Sequence, residues 1–222
     1  MPFKFSKAKL KGDPNIGLYG FATESYCLLG TAPQPSMLKT MKKVIGVKPL
    51  VTSLSGTELL GIFAAGNSNG ILVPKIVEEQ EIKEIKKLGL NVEVINSKRT
   101  ALGNLVLCND KGCVISRGLS RFKDKIEDAL GVEISIGTVA GLSIVGSCAA
   151  ASNTGCLCHR ETKEKEMKLI ESILKVKVDI GTVGYGSPYI NSGIIVNSKG
   201  ILYSDTTTGA ELGRIEEVFV DE

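Results

Sequence analysis

Apolar and polar positions along this chain switch repeatedly between a two-residue and a helical period, and the passage is clearest between residues 59 and 95. Two apolar runs, Leu59 to Ala64 and Ile71 to Val73, flank Asn67-Ser68-Asn69-Gly70, which is the signature of a β-hairpin closed by a tight turn. Pro74 stands where a helix can begin. Ile76, Ile82, Ile85 and Leu88 then mark one apolar stripe, with glutamates ahead of lysines as the helix dipole favours. Gly89 stops that helix, and Asn91-Val92-Glu93-Val94-Ile95 alternates like a strand with one buried face. The predicted unit is strand, turn, strand, helix, strand.

The same order recurs five times. Polar turns end at Ser25, Gly70, Gly112, Gly155 and Gly200, 42 to 45 residues apart. A second anchor nine residues upstream holds Gly61, Gly103 and Gly146, with Ile16 and Asn191 at the matching places. Two anchors with one period imply modules that bury their apolar faces against their neighbours. Helices are predicted from Ser36 to Ile45, along Phe122, Ile126, Ala129 and Leu130, and along Met167, Ile170, Ile173 and Leu174. The fifth is reduced to a stub between Thr208 and Glu217, so the last repeat reads as abbreviated. The boundaries run approximately 12–53, 54–97, 98–138, 139–183 and 184–222 within one domain, 1–222. If the modules surround an axis, hairpins line the inside, helices the outside, and the opening segment supplies the final strand.

Composition changes this picture little. With 43% hydrophobic and 23% charged residues the 222-residue chain reads as globular, and a net charge of +3 permits an acidic partner without demanding one. Met1 to Lys11 lacks the apolar stretch of a secretory signal. Val139 to Ala151, the longest run poor in charge, falls well short of the roughly 20 residues a bilayer requires. The expectation is a cytoplasmic protein with no membrane segment.

Six cysteines and one histidine invite a search for a metal site or a nucleophile. Cys156-Leu157-Cys158-His159 lacks the paired C-x(2–4)-C spacing of structural zinc. The repeat gives a plainer reading: Cys156 falls at the place of Ile71, Cys113 and Ile201, and Cys158 at that of Val73, Ile115 and Tyr203. Cys148 matches Phe63 and Leu105, and Cys27 matches Leu72 and Val114. These are core positions, suited to a residue that is commonly buried. His159 is expected as a solvated loop residue, and Gly181-Thr182-Val183-Gly184-Tyr185-Gly186 as a bend, since no helix opens after it. No metal, cofactor or catalytic residue is expected. Eight residues before each turn's end stand Gly17, Ile62, Asn104, Ser147 and Ser192, which share one rim if the ring is symmetric.

Several stretches resemble the translation initiation factor 6 family of archaea and eukaryotes. They are Gly66-Asn67 with Gly70-Ile71-Leu72-Val73-Pro74, Ala101-Leu102-Gly103-Asn104 with Cys108-Asn109-Asp110, Val145-Gly146-Ser147 with Ser152-Asn153, Gly181-Thr182-Val183, and Asp205-Thr206-Thr207-Thr208. The resemblance spans about Ile16 to Phe219. It implies an α/β pentein fold, a five-fold pseudosymmetric β/α propeller of five repeats. It further implies binding to the large ribosomal subunit, near the sarcin-ricin loop, that blocks joining of the small subunit. On that reading the chain is an anti-association factor, a monomer without enzyme activity or small-molecule substrate, whose partners are ribosomal proteins and rRNA. The implied ribosome-binding residues are Asn104 first, then Gly17, Ile62, Ser147 and Ser192, with Lys98 and Arg99 adding charge toward RNA. The long basic tail of eukaryotic members has no counterpart before Glu222, so tail-dependent regulation is not implied. The alternative is a guanidine-modifying pentein enzyme of the deiminase or amidinotransferase class. Such enzymes carry a cysteine nucleophile in the final repeat, whereas the last cysteine here is Cys158.

Overall fold

In the computed structural model, which describes residues 2–220, each of the first four hairpins gains a third strand through a crossover helix. The first sheet joins β2 (Gly20–Ala22), β3 (Cys27–Leu29) and β4 (Pro49–Val51); the second joins β5 (Ala65–Gly66), β6 (Gly70–Pro74) and β7 (Asn91–Ile95). The third holds β8 (Val106–Cys108), β9 (Cys113–Ile115) and β10 (Ile134–Ile136), and the fourth β11 (Ala149–Ala151), β12 (Gly155–His159) and β13 (Lys177–Gly181). The first pair of each sheet is antiparallel. The third strand is parallel to the second, because the intervening helix carries the chain back to the same end.

The fifth hairpin, β14 (Ile194–Asn197) and β15 (Gly200–Ser204), receives its parallel partner from the opposite end of the chain. Strand β1, Lys4–Ala8, aligns Lys4 with Gly200 and Ala8 with Ser204 and closes the ring as the pattern anticipated.

Five outer helices complete the modules: α1 (Pro35–Ile45), α2 (Glu79–Lys86), α3 (Lys123–Leu130), α4 (Glu164–Leu174) and α5 (Gly209–Phe219). Each lies across the seam between its own module and the preceding one, and the turn glycines make that approach possible. A Cβ on Gly70 would sit 2.2 Å from the Ala129 carbonyl, one on Gly112 2.0 Å from that of Ile173, and one on Gly155 2.1 Å from that of Val218. The buried clusters cross the seams accordingly: Ile16, Cys27, Met41 and Ile45 pack with Ile195 and Leu202 of the last module.

The structure corrects several expectations. Helix α2 starts at Glu79 instead of Pro74, which ends β6, and Ile76 is 44% exposed. The Glu78–Glu81 capping box fixes the start. Helix α5 is a full helix of 11 residues, where a stub was expected; its own capping box, Thr208 with Glu211, outweighs a glycine cost of about 1 kcal/mol at Gly213. The run Leu59 to Ala64 folds mainly into a helical turn, Leu60–Phe63, leaving a strand of only two residues.

In the first module the residue closing the turn is Tyr26, because the Thr23 N–H bonds to the Tyr26 carbonyl as that of Asn67 does to Gly70. Every first-module equivalence therefore moves by one residue. Cys27 stands at the place of Ile71, and Gly17 at that of Gly61. Tyr26 is tolerated because its ring is buried edge-on to Phe21, with its hydroxyl donating to the Gly70 carbonyl at 3.3 Å.

Cys27, Cys113, Cys148, Cys156 and Cys158 are buried and Cys108 is half-buried, in keeping with packing roles. Burial pushes the thiols of Cys27 and Cys148 up to about 12 and about 11. His159 is buried, contrary to expectation. It ends β12 with Nδ1 accepting the Glu161 N–H at 3.0 Å and its ring edge-on to Tyr189. Val183 pairs with Ser187, so the glycine run there is the expected bend.

Candidate functional site

Five short helical turns converge where the chain enters each hairpin, and three successive residues in each do different work. Ile16, Leu60, Leu102, Val145 and Ile190 are fully buried and anchor the turns in the core. The next positions are Gly17, Gly61, Gly103, Gly146 and Asn191, and here neighbouring backbones touch. A Cβ on Gly61 would lie 1.8 Å from the Gly17 carbonyl, one on Gly103 2.0 Å from that of Gly61, and one on Gly146 2.1 Å from that of Gly103. On Gly17 it would lie 1.7 Å from the Asn191 carbonyl. Glycine is required at these four places, where one inner turn rests on the next. The first and fifth turns, Ile16–Leu18 and Ile190–Gly193, are 3₁₀ helices, and the fifth carries Asn191 at this place.

The third positions form the rim. Leu18, Ile62, Asn104, Ser147 and Ser192 each donate a backbone N–H to the carbonyl three residues earlier, at 3.0–3.1 Å, and all are half-buried. With Asn15 they line a depression of about 410 Å³ at one mouth of the axis. The rim expected from sequence is thus brought together, with one correction: Gly17 belongs to the buried contact ring, and Leu18 presents the side chain. The displaced register hid Leu18; aligning Gly17 with Gly61, Gly103 and Gly146 reveals it.

The Ser192 hydroxyl is spent on the Tyr189 carbonyl at 2.8 Å, whereas among the described residues the side chains of Asn104 and Ser147 have no hydrogen-bond partner. Lys98 and Arg99 do not reach this mouth. They are exposed in the loop after β7, where the Ser97 hydroxyl accepts the Arg99 N–H at 2.9 Å and the Arg99 side chain lies over Gly118.

A hairpin-like loop precedes the inner turn in four of the modules. Lys11-Gly12, Ser55-Gly56 and Ala140-Gly141 have positive φ at both residues, the geometry of a type I′ turn. Three of the loops are clipped by a glutamate from an outer helix. Glu81 accepts from Ser53 Oγ, Ser55 N and Gly56 N; Glu166 accepts from Thr138 Oγ1 and Gly141 N; Glu211 accepts from Thr182 Oγ1, Tyr185 N and Gly186 N. Burial pushes each carboxyl up, and the hydrogen bonds it accepts more than reverse this, leaving all three below the ordinary glutamate value. Tyr185, read from sequence only as part of a bend, projects from its loop 84% exposed at φ +69°. A bulky residue in that conformation is uncommon, and the fold gains nothing from its ring.

The other mouth is built from the hairpin turns. Asn67, Asn109 and Asn197 each send Nδ2 to two carbonyls of the next module, one in its turn and one at the C-terminal end of its outer helix. Above them Ser68 is linked to Asp110 and Asp110 to Asn153, Ser198 is linked to Glu24, and the Ser25 hydroxyl donates to the Ser68 carbonyl. This mouth is polar. Along the axis the walls are small residues such as Ala65, Ala150 and Gly66. Among the described residues no group of three or more His, Cys, Asp or Glu gathers as a metal site, and no helix is long and apolar enough to cross a membrane.

The sequence profile of the eIF-6 family matches residues 5–218. The chain belongs to the eIF-6 family. A relative from Methanocaldococcus jannaschii is 42% identical over 213 residues, covering 93% of each chain, and bears the name Translation initiation factor 6. Relatives of the same name from Saccharolobus islandicus and Staphylothermus marinus are 39% and 37% identical, each covering 94% of the relative and 93% and 94% of this chain. Among solved structures, DDAH from Pseudomonas aeruginosa bound to citrulline is similar at a TM-score of 0.46 and 12% identity, covering 74% of this chain and 68% of that one. Five three-stranded sheets in an eIF-6 family member are the pentein fold.

Proposed function

We propose that this protein acts in translation initiation as a binding factor. On this reading it seats the axial mouth on the large ribosomal subunit and keeps the small subunit from joining. Family membership across nearly the whole chain carries the proposal, and the mouth supports it. Two apolar side chains, Leu18 and Ile62, sit beside two uncommitted polar ones, Asn104 and Ser147, on a rim held rigid by backbone contact. Such a mixture of apolar contact and open hydrogen-bonding capacity suits a protein surface. Asn104 and Ser147 are the residues we assign to recognition, with Ile62 and Leu18 as anchors and Ser192 at the border; Lys98 and Arg99 lie apart from them.

A non-enzymatic mechanism fits the same geometry. Five of the six cysteines are buried, none lies in the last module, and the His159 Nδ1 is committed to a backbone N–H. The test is sedimentation with purified subunits: the protein should travel with large subunits and lower the fraction joined to small ones. Asn104→Arg should weaken this without altering the far-UV CD spectrum. Undiminished joining at saturating protein refutes the proposal, and release of citrulline or ornithine from arginine would favour the guanidine-modifying reading instead.

A further inference from the structure

The lysines of this chain are unevenly placed around the ring. No acidic residue occurs between Glu24 and Glu58, while Lys39, Lys42, Lys43 and Lys48 fall in that interval. Helix α1 therefore carries lysines alone, whereas α2, α3, α4 and α5 each carry at least three carboxylates. Buried Met41, Val44 and Ile45 fix which side of α1 faces inward, so Lys39, Lys42 and Lys43 stand exposed on the other, Lys39 about one helical turn, or roughly 5–6 Å along the axis, from the adjacent pair Lys42 and Lys43.

Ring closure brings two more cations to this row. Lys4 on β1 donates Nζ to the Lys43 carbonyl at 3.0 Å, and the Lys199 side chain lies over Gly46 at the end of α1. Lys9 and Lys11 are paired with Asp205 and Glu58, but among the described residues no carboxylate lies within ion-pairing distance of Lys4, Lys39, Lys42, Lys43, Lys48 or Lys199. Lys4 and Lys199 help close the end of α1, but among the described residues the side chains of Lys39, Lys42 and Lys43 make no hydrogen bond or ion pair, and their clustering is costly through self-repulsion.

We propose that this edge, formed by α1 with Lys4 and Lys199, binds RNA through its phosphate backbone. A row of ammonium groups along a rigid helix suits closely spaced phosphates and carries no means of reading bases. A lipid surface is the poorer match, because no exposed large apolar side chain lies on α1 or β1 to enter it. The site is separate from the axial mouth and from Lys98 and Arg99, so it can succeed or fail independently of the proposed function.

The test is fluorescence anisotropy of the full chain with a labelled RNA hairpin, between about 50 and 200 mM salt. The triple variant K39E/K42E/K43E should bind at least about tenfold more weakly at low salt and should reduce the slope of log affinity against log salt by about 3, one per phosphate contact. The control K83E/K86E/K165E makes the same change of net charge on α2 and α4 and should stay within about twofold of the parent. Equal loss in both triples would reduce the effect to net charge and overturn the proposal. So would no RNA binding at low salt, binding to anionic phosphatidylserine vesicles in place of RNA, or displacement of the RNA by polyglutamate at equal charge.

Discussion

Asn109 is a place where one side chain holds two modules together, and its removal has a calculable cost. Its Oδ1 accepts the N–H groups of Lys111 and Gly112 at 2.9 and 3.0 Å, shaping its own turn. Its Nδ2 donates to the carbonyls of Ser152 and Leu174 in the next module at 3.0 and 2.9 Å. The residue is buried, so Asn109→Ala forfeits four hydrogen bonds and gives water little access to the groups left behind. At about 1 kcal/mol net per bond, the cost is about 4 kcal/mol, a fall in Tm of roughly 10 °C for a chain of this size.

The fourth module supplies an internal control. There Ser152 holds the Asn place: its Oγ accepts the N–H groups of Thr154 and Gly155, and the link to the next helix comes from Thr154 Oγ1, which donates to the Phe219 carbonyl at 3.0 Å. Asn109→Ser should therefore keep the turn, lose the bridge and cost about 2 kcal/mol. Adding Lys111→Thr should restore about 1 kcal/mol by re-creating the bridge to the Leu174 carbonyl, although alone it only removes two exposed lysine hydrogen bonds, to the Asn153 and Lys175 carbonyls. Urea titration with two spectroscopic probes measures all four variants. A cost below about 1 kcal/mol for Asn109→Ala, or no recovery in the double variant, would refute the account of how modules are coupled.

Gly103→Ala places a Cβ 2.0 Å from the Gly61 carbonyl, a backbone atom that cannot move alone, and should cost more than about 3 kcal/mol. Gly213→Ala, in open space on α5, should stabilise by about 0.5–1 kcal/mol in the same melts. Because the carboxyls of Glu81, Glu166 and Glu211 sit below their ordinary value when folded, their contribution is present above the unfolded value of about 4.3 and is lost as pH falls through the lower folded values. Denaturation at pH 7 and pH 3 should show Glu211→Gln less stable than the parent at pH 7, with the difference shrinking at pH 3; a constant difference contradicts the linkage. With thiols pushed up by burial, a disulfide reagent at neutral pH should find Cys108 alone in the native protein and all six cysteines after unfolding.

Most of the architecture was legible because the same residues that make a turn also make a seam. Gly70, Gly112, Gly155 and Gly200 lie under the backbone of an outer helix, so their spacing records the packing of neighbours as well as local chain reversal. Where a different device meets the same need, the record shifts. Tyr26 closes the first turn with a buried ring, which displaced every first-module position by one and concealed Leu18. Helix α5 reads as only a stub in the sequence because glycines at 209 and 213 weaken its propensity, while the capping box that secures it depends on Glu211 being held by a loop 25 residues away. The burial of His159 likewise follows from Tyr189 of the next module, a contact that local pattern does not announce.

The candidate site was legible only as a rank of equivalent positions, and the reason lies in how a pseudosymmetric ring divides its work. At the anchor places all five modules keep large aliphatic side chains, and at the contact places four of five keep glycine, since closure imposes the same requirement on each. At the rim the five side chains diverge into Leu18, Ile62, Asn104, Ser147 and Ser192, where closure imposes nothing. The same holds for the outer helices: inward stripes agree, while α1 alone lacks carboxylates. Repetition therefore marks the positions that hold the ring together. The breaks in repetition, at the rim and along α1, are the surfaces the fold leaves free for partners, so exchanging Asn104 and Ser147 should preserve stability while altering recognition.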